Sequence, residues 1–173
     1  MKKRAIAYWL IPAEPARELF RKIIEILAKE FAAPRFEPHL TIAVTPEGQE
    51  SPRSILRDIK AKPIRLRVCG ISYSTKFAKT LFVSFNSSKS LERLVFKLRR
   101  TAKSPIPLPV APHVSLLYKT LPPSVKRQLA STIKLPFSEV KFDSIKAVRC
   151  ASPMRNAADV KSWKIVATKN LTP

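Results

Sequence analysis

The sequence of 173 residues carries an internal repeat at an offset of 74 residues. Residues 38–42 and 112–116 both read proline, histidine, apolar, hydroxyl, apolar, and they contain His39 and His113, the only histidines of the chain. Apolar positions often agree by chance, whereas the agreement of both histidines, each directly after a proline, is much harder to obtain by chance. Because such repeats indicate duplicated structural units, the sequence predicts two copies of one unit related by pseudo-twofold symmetry.

In both copies, the sequence predicts the same order of elements, namely strand, helix, histidine strand, helix and strand. Apolar residues at steps of three and four indicate the first helix, over residues 14–31. In the second copy, Ser90 is expected to cap the equivalent helix. The predicted fold class is therefore α+β, with duplicated bilobal β-α-β units in one two-lobed domain over residues 1–173. The pseudo-repeats span about residues 1–78 and 79–173.

The paired motifs supply the residues for a reaction at phosphorus. Because strand residues alternate between faces, His39 shares a face with Thr41, and His113 shares one with Ser115. If both strands meet at one cleft, two imidazoles and two hydroxyls surround a ligand. Histidine exists in both protonation states near neutral pH, so one imidazole can activate water while the other protonates a departing ribose oxygen. The two hydroxyls can donate hydrogen bonds to the phosphate oxygens.

A structural role and a metal site are the two alternatives to catalysis for these histidines. A lone strand histidine is more often structural than catalytic, but here both occupy equivalent positions of the repeat. Metal sites usually use three or four protein ligands, and neither motif carries a carboxylate. The chain also has only 2 glycines, too few for a glycine-rich phosphate loop. We therefore expect neither a metal nor a cofactor.

The net charge of +21 favours a polyanionic partner. The chain has 33 Lys and Arg against 12 Asp and Glu, and residues 59–138 hold sixteen of the basic residues with Glu92 as the one acid. Such a balance is typical of nucleic-acid-binding proteins, so RNA binding through a basic surface is one interpretation. The alternative is that the charge only keeps the surface soluble.

Cysteine and hydropathy patterns bear on the location of the protein. Cys69 and Cys150 are too few for a disulfide framework or a CxxC metal site. One bridge between them is possible, but we expect two reduced, buried thiols, as in an intracellular protein. The apolar residues 5–11 are interpreted as a first strand rather than a signal peptide. No segment approaches the ~20 apolar residues of a membrane span, so we expect a cytoplasmic monomer with no membrane contact.

The paired motifs in a duplicated chain resemble the two-histidine phosphoesterase superfamily, and within it the cyclic phosphodiesterases of the plant and yeast type. Supporting segments are YWLIP at 8–12, PRFEPHLT at 34–41, PHVSLLY at 112–118 and SWK at 162–164. The resemblance implies two antiparallel sheets lining a central cleft. It also implies metal-independent hydrolysis of nucleoside 2′,3′-cyclic phosphates and ADP-ribose 1″,2″-cyclic phosphate, to the 2′- or 1″-phosphate.

The same resemblance suggests that Trp9 and Tyr118 line a subsite for the base or ribose. Their alternative is the core, since strand alternation places Tyr118 opposite His113 unless the strand ends or bulges there. Residues 74–79 are a candidate lid or phosphate clamp acting through Lys76, with a solvated hairpin as the alternative.

The first functional hypothesis is a cyclic phosphodiesterase with His39 and His113 as its acid–base pair and Thr41 and Ser115 as its phosphate-binding residues. Its partner is then a cyclic nucleotide or an RNA terminus. An RNA end-processing or 2′-5′ RNA ligase-like enzyme is the second hypothesis, and a non-catalytic basic RNA-binding module is the third. Which histidine is the base stays open at this level.

Overall fold

The computed structural model describes residues 3–48, 51–104 and 111–173. The first copy of the repeat forms β1 (Lys3–Pro12), α1 (Ala16–Glu30), β2 (Leu40–Pro46), α2 (Pro52–Asp58) and β3 (Ile64–Tyr73). A 3-10 turn (Phe77–Lys79) leads to the second copy, which forms β4 (Leu81–Phe85), α3 (Lys89–Thr101), β5 (His113–Leu117), α4 (Pro123–Thr132) and β6 (Glu139–Ser152). The chain then adds α5 (Ala157–Lys161) and β7 (Lys164–Asn170).

The strand order shows how the two copies fit together. It runs β2-β1-β6-β3-β4-β5, with β7 on β6, and every pairing is antiparallel. The first strand of each copy lies between its own histidine strand and the third strand of the other copy. Exchanging β1 with β4, β2 with β5 and β3 with β6 leaves this order unchanged. The predicted duplicated α+β fold with pseudo-twofold symmetry is thereby confirmed, and β7 has no counterpart in the first copy.

The two faces of the sheet have different environments. Along β1, Tyr8 lies in the main core with the inward side chains of the helices, whereas Trp9 belongs to a second, smaller cluster. Strand alternation explains the separation, because adjacent residues point to opposite faces. The buried members of the smaller cluster are Ala7, Trp9, Ile11 and Val148. This second face is the one that the functional site uses.

Helix α1 supports the main core as its apolar periodicity predicted. Its buried residues are Ala16, Phe20, Ile24, Leu27 and Ala28, which repeat at steps of three and four and form one stripe. None of the helices in the described part of the chain is long and apolar enough to cross a bilayer.

Several local expectations are corrected. Helix α3 is capped by Ser88, whose hydroxyl accepts a hydrogen bond from the Leu91 amide at 3.1 Å, and not by Ser90, which lies inside the helix. Both cysteines are free, but neither is fully buried, since Cys69 is exposed and Cys150 is half-buried. Cys69 follows Arg65 and Arg67 on the outward-facing side of β3, and that alternation was visible in the sequence.

The Phe142 side chain is expected to contribute strongly to the stability of the centre of the sheet. Its side chain is fully buried and lies edge-on to Phe85 with ring centroids 5.7 Å apart. We predict that Phe142→Ala lowers the free energy of unfolding by about 3–5 kcal/mol, because it leaves a cavity where β3 and β6 pair. Chemical denaturation measures this, with Phe96→Ala as the control.

The Phe96 side chain is 59% exposed, so its truncation should change stability by no more than about 0.5 kcal/mol. Equal losses in the two variants would show that the centre of the sheet does not carry the stability assigned to it.

Candidate active site

The structure brings all four motif residues to one pocket. His39 precedes β2 and Thr41 lies on it, while His113 and Ser115 lie on β5, and all four line a cavity of about 220 Å³. The two strands are at opposite ends of the strand order, so the sheet must curl to bring them to one cavity. The other lining residues are Ala7, Trp9, Val44, Ala78, Tyr118, Cys150, Ala151, Ser152, Met154 and Trp163.

Each imidazole is oriented by a backbone carbonyl two residues earlier in the chain. The Nδ1 atom of His39 lies 2.6 Å from the Glu37 carbonyl oxygen, and Nδ1 of His113 lies 2.9 Å from that of Ala111. Because a carbonyl oxygen only accepts hydrogen bonds, Nδ1 must carry the proton in both rings. The neutral rings therefore keep their lone pair on Nε2, which is the nitrogen left to act on a ligand.

Each imidazole also packs against an aromatic ring from the neighbouring strand. The Trp9 ring is stacked on His39 with centroids 3.7 Å apart and an interplanar angle of 15°. The Phe82 ring meets His113 edge-on, with centroids 5.4 Å apart and an angle of 68°. Trp9 pairs in register with Thr41, and Phe82 pairs with Ser115, so these two rings occupy equivalent places in the two copies.

Burial disfavours the charged form of both histidines. The His39 side chain is almost inaccessible, and desolvation lowers its pKa to about 4 against the opposing effect of the Glu37 carbonyl. Desolvation also lowers the pKa of His113, with a further decrease from the positive charge of Lys79. Both rings are therefore predominantly neutral in the free protein at neutral pH. An anionic phosphate between them would favour protonation of one.

Ser115 and Tyr118 form a small polar group at the second motif. The Ser115 hydroxyl donates to the Ala78 carbonyl at 3.4 Å, which is long for a hydroxyl donor and leaves it available to a better acceptor. Strand β5 ends at Leu117, so alternation stops there and Tyr118 lines the pocket together with His113. Burial raises the pKa of Tyr118, and the nearby Ser115 side chain acts in the opposite direction.

Trp9 also lines the pocket, but it is buried, and one face of its ring is covered by His39. Trp163 lies edge-on to Trp9, His39 and Tyr118, at centroid distances of 4.9, 5.5 and 5.9 Å. Its half-buried ring forms part of the pocket wall, and the sequence did not identify it as a site residue. The one signal in the sequence was the SWK segment, and helix α5 ends just before Trp163.

The segment 74–79 brings a cation close to the site, and this cation is Lys79 and not Lys76. Its 3-10 turn places Ala78 in the pocket lining and Lys79 Nζ 4.4 Å from the centroid of the Phe82 ring. The turn is held in place by Lys126, whose Nζ donates to the Ser74 carbonyl at 2.8 Å. The segment is thus a structured turn that contributes Ala78 to the pocket wall, although Thr75, Lys76 and Ala78 are exposed to solvent. Lys79 is the lysine whose charge acts on His113.

Within the described ranges, no group of three or more His, Cys, Asp or Glu side chains is arranged to hold a metal ion. The pocket offers a ligand its two imidazoles and two hydroxyls, with the Lys79 ammonium nearby.

A duplicated antiparallel fold with one histidine–hydroxyl motif per copy, both in one pocket, defines a two-histidine phosphoesterase architecture. A family model described as cyclic phosphodiesterase-like protein matches residues 4–171, and the chain belongs to this family. It is 26% identical to a cyclic phosphodiesterase of Arabidopsis thaliana, with 100% of this chain and 98% of that protein covered. The protein is accordingly an enzyme, a phosphoesterase.

Solved structures support the fold. A structure titled phosphoesterase superposes with a TM-score of 0.64 at 16% identity, covering 99% of both chains. Escherichia coli LigT in its complex with ATP superposes with a TM-score of 0.60 at 16% identity, covering 100% of both chains. The protein TT0787 of Thermus thermophilus gives a TM-score of 0.60 at 17% identity, covering 96% of this chain and 97% of that one.

Removing the charge of Lys79 should raise the pKa of His113. The lysine disfavours a second positive charge nearby, so Lys79→Met should shift the His113 titration to higher pH and leave that of His39 nearly unchanged. Proton NMR resolves the two titrations readily, because the chain has only 2 histidines.

Lys76→Met is the matched control, because it removes the same charge from the same segment. We expect this variant to leave the pKa values of both histidines unchanged. An equal shift in the two variants would contradict the assignment of Lys79.

Proposed function

We propose that this phosphoesterase hydrolyses cyclic phosphodiesters, namely nucleoside 2′,3′-cyclic phosphates and ADP-ribose 1″,2″-cyclic phosphate, through an acid–base pair of His39 and His113. The observation that carries the proposal is the pair of buried imidazoles in one pocket, both oriented by a carbonyl that fixes the proton on Nδ1. Two groups with equivalent orientation in a shared pocket are suited to act on opposite sides of one phosphorus atom. The name of the Arabidopsis relative supports the cyclic substrate class.

In the proposed reaction, Nε2 of one neutral imidazole removes a proton from water. The water oxygen forms a bond to phosphorus while the bond from phosphorus to one ribose oxygen breaks. The second histidine, protonated on Nε2, gives its proton to that departing oxygen. One water is thereby added across the phosphorus–oxygen bond, and the product is a ribose phosphomonoester. Before the next turnover, the first histidine releases the proton that it took up, and the second histidine is protonated again.

Thr41 and Ser115 are proposed to bind the two non-bridging phosphate oxygens, where negative charge accumulates in the transition state. Ser115 exchanges its long hydrogen bond to the Ala78 carbonyl for one to the phosphate. Thr41 occupies the equivalent register position of the first copy and lines the same pocket.

The surroundings of the two imidazoles differ enough to suggest their roles. His39 is covered by the flat face of Trp9, and burial lowers its pKa to about 4, so it is the better candidate for the neutral base. His113 is only partly buried and touches Phe82 with a ring edge, so it is more readily protonated when an anionic substrate binds. We therefore assign His39 as the base and His113 as the acid.

We expect His39→Ala and His113→Ala each to lower kcat for a nucleoside 2′,3′-cyclic phosphate by roughly 10²–10⁴-fold, because each removes one proton-transfer group. The roles are separated by a substrate in which sulfur replaces the departing ribose oxygen. A thiolate leaves without protonation, so His113→Ala should recover most of its loss on this substrate, while His39→Ala should not.

Full activity of either variant on the oxygen substrate would overturn the two-histidine mechanism. Recovery in His39→Ala instead would reverse the assignment of base and acid. Identifying the product as the 2′- or the 3′-phosphate in the same assay reports which ribose oxygen departs.

A further inference from the structure

We infer that the ion pair between Glu37 and Lys146 positions His39 for proton transfer, so that both are positioning residues of the proposed reaction. The kinetic part of this inference rests on the proposed function, whereas the state of the His39 ring can be tested without any substrate. The pair joins the segment before β2 to the middle of β6, and its two residues are 109 positions apart in the chain.

Glu37 contacts His39 and Lys146 through two different groups. Its backbone carbonyl accepts the hydrogen bond from Nδ1 of His39 at 2.6 Å, and its side-chain Oε1 accepts one from Nζ of Lys146 at 2.5 Å. Residues 33–39, all within the described part of the chain, belong to no helix or strand. The hydrogen bonds of a regular element therefore do not fix this carbonyl. The ion pair instead ties the residue that orients His39 to a strand of the sheet.

Strand register places Lys146 on the face of the sheet that carries the pocket. On β6 it pairs directly with Trp9 of β1, and directly paired residues of antiparallel strands point to the same face. Trp9 is also the residue whose ring is stacked on His39. Two adjacent strands thus hold this histidine, β1 through the stacked ring and β6 through the ion pair with Glu37.

The ion pair is half-buried rather than exposed. The side chains of Lys146 and Glu37 are 18% and 27% exposed, whereas those of Arg65 and Glu139, a second pair that involves β6, are 64% and 43% exposed. Solvent screens exposed pairs, so they contribute little to structure. Removing one partner of a shielded pair leaves the other charge poorly compensated. The pair with Glu37 is therefore the one suited to hold a backbone segment in place.

The second copy of the repeat has no equivalent of this ion pair. The offset of 74 residues maps Glu37 onto Ala111. It maps Lys146 onto Ser72, and neither alanine nor serine carries a charge. Ala111 still supplies the carbonyl that orients His113, at 2.9 Å from its Nδ1. What the second copy lacks is thus the anchor of the carbonyl and not the carbonyl itself.

Strand pairing supports this equivalence in space. Ser72 on β3 pairs directly with Phe82. Lys146 on β6 pairs in the same way with Trp9, and these two aromatic rings are the ones that pack against the histidines. The ion pair therefore belongs to the first copy alone, beside the histidine assigned as the base. A base must direct one lone pair at the attacking water, so its orientation affects the rate of the chemical step.

Two single variants test the inference kinetically. Glu37→Gln keeps the shape of the side chain and removes its charge, and Lys146→Met removes the ammonium group. Each should lower kcat for a nucleoside 2′,3′-cyclic phosphate by about 10-fold or more and change KM by no more than about twofold, because misplacing a catalytic group slows the chemical step. The double variant should lose no more than the weaker single variant, because both substitutions remove the same contact.

A conservative variant separates the charge from the packing of the lysine. Lys146→Arg retains a cation that can pair with Glu37, so it should recover most of the kcat that Lys146→Met loses. Arg35 lines the same surface depression as Glu37 and can partly replace a missing ammonium group, so Glu37→Gln is the stricter of the two single variants.

The spectroscopic readout is the position of the proton on each imidazole. Nitrogen NMR distinguishes a proton on Nδ1 from one on Nε2, and the chain has only 2 histidines to assign. In Glu37→Gln and Lys146→Met, the His39 signals should shift toward a mixture of the two tautomers, while His113 should keep its proton on Nδ1. An ion pair that only stabilises the fold would lower the free energy of unfolding and leave the His39 tautomer unchanged.

Glu139→Gln is the matched control, because it removes the acid of the exposed ion pair on the same strand. It should leave kcat and both imidazoles unaffected. Unchanged His39 signals in both single variants, or an equal change at the two histidines, would overturn the inference while leaving the proposed function intact. If the unmodified protein hydrolyses no cyclic phosphodiester, the proposed function fails, and the imidazole signals still test the ion pair.

Discussion

The pairing of β3 with β6 at the centre of the molecule is the interaction on which the other features depend. Residues 64–67 pair with 139–142, and from there each strand continues beside the first strand of the other copy. Neither copy completes its sheet alone, since each supplies the strand that the other lacks. This exchange produces the palindromic strand order, and it places the two histidine strands at equivalent edges where both can face one cavity.

The two copies have diverged around that symmetric frame. Trp9 and Phe82 occupy equivalent positions, but one stacks on its histidine and the other meets it edge-on. Lys79 adds a positive charge beside His113, whereas α5 and β7 add Trp163 beside His39. A symmetric arrangement would give both imidazoles the same tendency to bind a proton. In the proposed mechanism, the burial of His39 under Trp9 suits it to act as the base, whereas the Lys79 charge opposes protonation of His113 until an anionic phosphate binds.

Much of this arrangement could be predicted from the sequence, because the information is local or repeated. The histidine–hydroxyl spacing fixes which side chains share a face, and the repeat indicates that the two motifs are equivalent. Three features depend instead on contacts between distant segments. Strand β5 ends at Leu117, which lets Tyr118 line the pocket. Helix α5 precedes Trp163 and positions it, and the 3-10 turn brings Lys79 rather than Lys76 close to His113. The capping of α3 by Ser88 rather than Ser90 was missed because both serines precede the same apolar residues.

In the proposed mechanism, the two imidazoles act from opposite sides of one phosphorus atom. A crystal structure with a nucleoside vanadate, an analogue of the five-coordinate transition state, tests it most directly. We expect vanadium to lie between His39 and His113, with each Nε2 at hydrogen-bonding distance from one apical oxygen. Thr41 and Ser115 should donate hydrogen bonds to equatorial oxygens. Vanadate bound outside the pocket, or in contact with only one imidazole, would contradict it.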